Sequence, residues 1–155
     1  MIKPIFFPLI ILTLYIGAYV PVHAQTKSEL QKKYSDYLSE KDLFSKIDSD
    51  GDVQFKIESR TYFIEVDESD PYFFRLVLPN IWPIESEVER AQVLKAIDIA
   101  NSKVKVAKIH IVRDDIWVGV EDFMADPDDY ESYFDRSLKM IGQCVDYFKD
   151  AMNDN

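Results

Sequence analysis

The chain has 155 residues and a formal net charge of −10, from 28 acidic and 18 basic side chains. Its length suits one domain, and a hydrophobic content of 47% is enough for one core and argues against a disordered chain. An acidic surface repels phosphate backbones, which argues against nucleic acid and anionic membranes as partners.

The first 24 residues have the pattern of an export signal. Lys3 gives a positive start, Ile5 to Val20 is an apolar run, and Val22-His23-Ala24 has the small-residue pattern of a cleavage site. The alternative is an uncleaved membrane anchor, but this run is shorter than the roughly 20 residues that a spanning helix needs. We expect residues 1–24 to be removed, leaving one domain over residues 25–155 that is periplasmic or secreted and not stably inserted in a membrane.

Cys144 is the only cysteine, so no intramolecular disulfide can form. An exported lone thiol could pair between chains. Because Cys144 comes three residues after Ile141 and four before Phe148 on an amphipathic segment, we predict instead that it is buried in the core.

The N-terminal part predicts a helix and then a turn. Ser28 followed by Gln31 fits a capping box and predicts a first helix that runs to about Lys41. The segment Asp48 to Asp52 resembles a calcium loop, but neither register of the EF-hand pattern supplies the required ligands and glycine. We therefore predict a turn there.

Alternating apolar residues predict five strands. Three lie between Val53 and Leu78, separated by turns at Ser59-Arg60 and Asp70-Pro71, and short links imply an antiparallel meander. Val104 to Val112 and Ile116 to Met124 form a second hairpin.

Two further helices follow from capping and spacing. Ser86 and Glu89 fit a second capping box, and Asp126 is the predicted cap of the last helix. The predicted stripe of the middle helix is Val88, Ala91, Leu94 or Lys95, Ile97 and Ala100. The predicted stripe of the last helix is Phe134, Leu138, Ile141, Val145, Phe148 and Met152. The fold class is thus α+β, a five-stranded antiparallel sheet with helices in the order α-βββ-α-ββ-α.

This order of elements resembles the YbjN-like family, which is similar in fold to type III secretion chaperones. The resemblance spans about Leu30 to Met152. It rests on Asp50-Gly51-Asp52, Asp70-Pro71, Leu78-Pro79, Asn101, the segment Lys105 to Lys108, and Asp126-Pro127. It implies a binding or regulatory domain with no cofactor and no catalytic residues. The export signal departs from the family's mostly cytoplasmic members, so a role in handling secretion effectors is not transferred.

Residues suited to catalysis are few. His110 is the only histidine after residue 24, and we predict that it lies on the sheet surface. A calcium site or a hydrolase built on the acidic cluster near Asp126 is the alternative function. The cluster consists of Glu121, Asp122, Asp126, Asp128 and Asp129. Because helix capping and the helix dipole account for several of these residues, we predict a non-enzymatic protein.

The second face of the sheet is unusually apolar in this pattern. An antiparallel sheet with one solvated face would be polar there. Either a helix or the Ile81-Trp82 loop covers this face, or it binds a protein partner or a second copy as a homodimer. The apolar positions on this face are Phe63, Phe73, Val77, Val106, Val112, Trp117 and Phe123. The predicted protein-binding residues are Phe63, Phe73, Trp82, Trp117 and Phe123.

Overall fold

The computed structural model describes residues 25–154, and the predicted export signal, residues 1–24, lies outside them. The elements are α1 (Lys27–Glu40), β1 (Ser45–Ile47), β2 (Val53–Ile57), β3 (Arg60–Ile64), β4 (Phe73–Leu78), α2 (Glu87–Lys103), β5 (Lys108–Val112), β6 (Asp115–Phe123) and α3 (Tyr130–Asn153). The strands form one antiparallel sheet in the order β1-β2-β3-β4-β6-β5. The α+β class with an antiparallel sheet is confirmed, whereas the prediction of five strands is wrong because the sheet has six.

The additional strand is β1, which is too short and too polar to show an apolar alternation. It pairs with β2 through the predicted turn, which is confirmed. Asp48 Oδ1 accepts hydrogen bonds from the N–H groups of Asp50, Gly51 and Asp52, each at 2.9 Å, and Gly51 has a φ of 93°. A side chain that bonds its own turn and a glycine with positive φ reverse the chain here.

One face of the sheet, the inner face, carries the core and the helices. Helix α1 packs beside β1 and β2, and α3 lies across β4, β5 and β6. The ring of Phe134 on α3 lies 5.5 Å from that of Phe55 on β2 and 5.4 Å from that of Tyr37 on α1. The strand residues that are almost fully buried on this face are Val53, Phe55, Tyr62, Ile64, Phe74, Leu76, Leu78, Ile109, Ile116, Val118 and Val120.

The pairing of β3 with β4 is short, and Pro79 explains where it ends. The Glu65 N–H donates to the Arg75 carbonyl at 3.1 Å, and Phe63 pairs with Val77. The next hydrogen-bonded pair in this register would join Thr61 to Pro79, which has no N–H to donate. The chain instead turns at Asn80, with a φ of 55°, and follows the edge of β6 as far as Ile84.

Two predicted helix starts are displaced. Helix α1 is capped by Thr26, whose hydroxyl accepts from the Glu29 N–H while the Glu29 carboxylate accepts from the Thr26 N–H, so the prediction at Ser28 is wrong. Helix α3 begins at Tyr130, because Asp126 accepts from the Asp128 N–H in a preceding turn and does not cap the helix. Both segments contain several good capping residues, and the chosen one depends on contacts that spacing alone does not show.

The middle helix begins as predicted, but of its predicted stripe only Ala100 is buried and Ile97 is half-buried. Ser86 Oγ accepts from the Glu89 N–H at 3.1 Å. The prediction that Val88 and Leu94 are buried is wrong, since they are 75% and 54% exposed. The buried residues are Val93, Ala96 and Ala100. Helix α2 packs mainly against α3, and small buried side chains such as Ala96 and Ala100 allow two helices to approach closely.

The last helix buries most of its predicted stripe. Its fully enclosed side chains include Phe134, Ile141, Val145 and Phe148, while Leu138 and Met152 are half-buried. The predicted burial of Cys144 is confirmed at 0% exposure, and this burial raises the pKa of its thiol.

Asn101 covers the free edge of strand β5, the last strand of the sheet. Its Nδ2 donates to the Ile109 carbonyl at 3.0 Å, and its Oδ1 accepts from the Ile109 N–H at 2.9 Å. Ile109 faces Val118 on its other side, so Asn101 stands where a further strand would pair. One side chain thus satisfies two edge groups and fixes the end of α2 to the sheet.

Asn101→Ala is expected to lower the free energy of unfolding by about 1–3 kcal/mol, because it leaves two partly buried backbone groups without partners. Urea unfolding followed by circular dichroism measures the change. Ser102→Ala, which alters an exposed neighbour, is the control and should have little effect. Equal destabilisation by both substitutions would contradict the role of Asn101.

Candidate functional site

The outer face of the sheet is the side opposite the core, and its exposure is uneven: Phe123 is largely exposed, whereas Val77 near the centre is buried. Strand alternation places four of the predicted binding residues on this face: Phe63, Phe73, Trp117 and Phe123. Val77 lies between Phe63 and Gly119 in the register. The structure therefore brings together four aromatic side chains from three neighbouring strands.

The aromatic residues lie in two groups. At one end Phe73 and Phe123 are directly opposite each other, with ring centroids 5.6 Å apart, and Phe123 is 70% exposed. At the other end are Phe63 and Trp117, whose Nε1 donates to Asn80 Oδ1 at 3.1 Å. Aromatic side chains held by a sheet offer a large contact area at little cost in conformational entropy.

A charged cluster separates the two aromatic groups. Arg75 Nη1 donates to Glu65 Oε1 at 2.6 Å, and Arg75 Nε lies 2.8 Å from Glu121 Oε1, an ion-pair contact whose alignment is not that of a hydrogen bond. One guanidinium thus stands between two carboxylates on adjacent strands. The cluster carries a net negative charge at the centre of the outer face.

His110 lies on β5 opposite Trp117, and its predicted surface position is confirmed. Partial burial is the main cause that lowers the pKa of its imidazole, and the nearby charge of Arg75 lowers it further, while Glu121 acts in the opposite direction. The ring is therefore mainly neutral at pH 7. It can exchange hydrogen bonds with a partner but adds little charge to the outer face.

Trp82 is the predicted binding residue that the structure places elsewhere. Its ring packs on the inner side against Phe148, with centroids 6.0 Å apart and planes at 77°, and its Nε1 donates to Glu89 Oε1 at 2.8 Å. The turn at Asn80 breaks the strand alternation, so Trp82 does not share a face with Trp117.

The predicted acidic cluster does not come together. Glu121 faces outward to Arg75, Asp122 is on the inner side, and Asp128 forms an ion pair with Lys33 of α1. Among residues 25–154 no group of three or more His, Cys, Asp or Glu side chains is placed to hold a metal ion. The geometry of the described residues therefore offers no support for a calcium site near Asp126.

A cleft of about 460 Å³ on the inner side was not predicted. It lies between the connection from α2 to β5 and the middle of α3, and four of its lining residues are basic: Lys103, Lys105, Arg136 and Lys139. The two pairs of cations are visible in the sequence of an acidic chain. Only the packing of α2 on α3 shows that they share one cleft.

Comparisons with known proteins assign no family. No protein-family model matches the chain, and a search of curated proteins finds no match. The resemblance to the YbjN-like family therefore stays a prediction. In the part of the chain that the structure describes, no helix is both long enough and apolar enough to cross a membrane.

The charge of Arg75 should be measurable through His110. We expect Arg75→Met to raise the pKa of His110, because it removes the repulsion that disfavours the imidazolium and leaves Glu121 unpaired. Proton NMR titration of a chain that begins at Gln25, in which His110 is the only histidine, gives this value directly. Lys56→Met removes another cation from the outer face and should leave the pKa unchanged. A pKa that shifts equally in both variants, or in neither, would show that Arg75 does not act on His110.

Proposed function

We propose that this protein is an exported, non-enzymatic protein-binding module that belongs to the YbjN-like family and acts through the outer face of its sheet. The observation that carries the proposal is a row of aromatic residues, half-buried to largely exposed, on the sheet face opposite the core. Interface cores are enriched in aromatic residues and in arginine, and the outer face contains both.

The occupant that best fits is a different protein rather than a second copy. In a symmetric dimer built on this face, the same patch would meet itself. The cluster of Glu65, Arg75 and Glu121 would then face its own copy, and each cluster carries a net negative charge. Like charges facing each other at an interface cost binding free energy.

The arrangement instead favours a partner segment with apolar side chains on either side of a basic group. The apolar groups would contact the pair of Phe73 and Phe123 at one end and Trp117 at the other. The basic group would complete the charge balance of the central cluster, where two carboxylates share one guanidinium. A regulatory module of this kind needs no cofactor.

Site-specific photo-crosslinking tests the location of binding. A photo-reactive residue at Phe123 should crosslink a second protein in cells that export the chain, whereas the same residue at Leu94, which is exposed on α2, should not. The mass of the product separates a different protein from a second copy. A product of twice the chain mass, or equal products from both positions, would contradict the proposal.

The crosslinked protein, once identified and purified, allows affinity to be measured. Trp117→Asp should weaken its binding about tenfold or more, since an aromatic anchor of the outer face is replaced by a charged side chain. Leu94→Asp is the matched control. Because Trp117 is half-buried, Phe123→Asp at a more exposed position should weaken binding without affecting folding. Wild-type affinity in both outer-face variants would overturn the proposal.

A further inference from the structure

The cleft on the inner side, termed the basic cleft, is lined mainly by cations, although the chain as a whole is acidic. Lys103 and Lys105 come from the connection between α2 and β5, and Arg136 and Lys139 come from α3. Among the described residues, Asp122 is the one acidic member of its lining. Four cations and one carboxylate thus line a concave site in a chain whose net charge is −10.

The cations of the basic cleft form no ion pairs with the described residues. Within residues 25–154, Lys105, Arg136 and Lys139 form no ion pair, and Lys103 Nζ lies over the Tyr147 ring at 4.9 Å from its centroid. Elsewhere cations pair readily, as Lys41 does with Asp135 at 2.9 Å. Like charges that are gathered without partners repel one another, and a bound anion would remove that repulsion.

The floor of the basic cleft is apolar and contains one serine. Val104, Val120 and Met140 contribute to the lining beneath the cations. Ser137 also lines the cleft and is 3% exposed. A serine hydroxyl can donate a hydrogen bond to an anion, so Ser137 adds one polar group to this part of the lining.

The wall formed by the connection is held in place before any ligand binds. Lys108 Nζ donates to the carbonyl groups of Asn101, Val104 and Lys105 at 3.3, 2.9 and 3.3 Å. These bonds close the end of α2 and fix the loop that carries Lys103 and Lys105. The volume of about 460 Å³ lies within the range of small-molecule sites, roughly 300–1,000 Å³.

We propose that the basic cleft binds a small amphiphile with an anionic headgroup and a single acyl chain. The headgroup lies among Arg136, Lys139 and the two lysines of the connection, and its oxygens accept hydrogen bonds from these cations and from the Ser137 hydroxyl. The chain contacts Val104, Val120 and Met140. Neither a plain anion nor an uncharged hydrocarbon would use both parts of this lining.

Decanoate is the probe, titrated by calorimetry below the concentration at which it forms micelles. We expect saturable binding with one molecule per chain, and the amide NMR signals of Ser137 and Met140 should shift. Decyltrimethylammonium has the same chain and the opposite charge and should not bind. Inorganic phosphate supplies an anion without a chain and should bind more weakly than decanoate.

Two charge-matched variants test the role of the cations. Arg136→Gln/Lys139→Gln should weaken decanoate binding about tenfold or more, because it removes two charged hydrogen-bond donors that contact the carboxylate. Lys46→Gln/Lys56→Gln removes the same charge from exposed strand positions and should change the affinity less than about twofold. Circular dichroism verifies that both variants are folded.

The proposal is overturned if decanoate shows no saturable binding, or if both double variants weaken it equally. It is also overturned if the cationic amphiphile, or phosphate alone, binds as tightly as decanoate. None of these outcomes depends on the outer face, so the two proposed sites are tested independently.

Discussion

The pairing of β4 with β6 is the interaction on which the rest of the structure depends. Six consecutive residue pairs, from Phe73 with Phe123 to Leu78 with Val118, join two parts of the chain that are separated by α2 and β5. On the inner face this ladder presents Leu76 and Val120 to the core beneath α3. On the outer face it presents the phenylalanine pair and the Arg75 cluster. The core and the candidate binding surface are therefore two faces of one ladder.

The strands could be predicted because period-two alternation is a direct consequence of strand geometry, and five strands show it over enough residues. Strand β1 could not, since Ser45 to Ile47 is too short to establish a period and forms by pairing with β2. The stripe of α2 was ambiguous because apolar residues occur on more than one side of that helix. Contact with α3 selected Val93, Ala96 and Ala100, and a sequence pattern does not contain the distance between two helices.

The candidate binding surface was largely predictable for the same reason as the strands. Four aromatic residues were assigned to the correct face by alternation alone. Trp82 was assigned wrongly because alternation holds only while the backbone stays extended, and Asn80 has a positive φ that interrupts it. The basic cleft had no comparable signal, since residues far apart in sequence meet there only through the packing of α2 against α3 and β6.

Strand β6 contributes side chains to both proposed sites. Its successive residues point in opposite directions, so Trp117 and Glu121 belong to the outer face while Val120 and Asp122 line the basic cleft. Ligands at the two sites would not collide, because the sheet separates them. Yet each site would contact side chains of the same short segment, from Val120 to Phe123. If one ligand displaced this segment, the side chains that it contributes to the other site would move as well, and the affinity of that site would change.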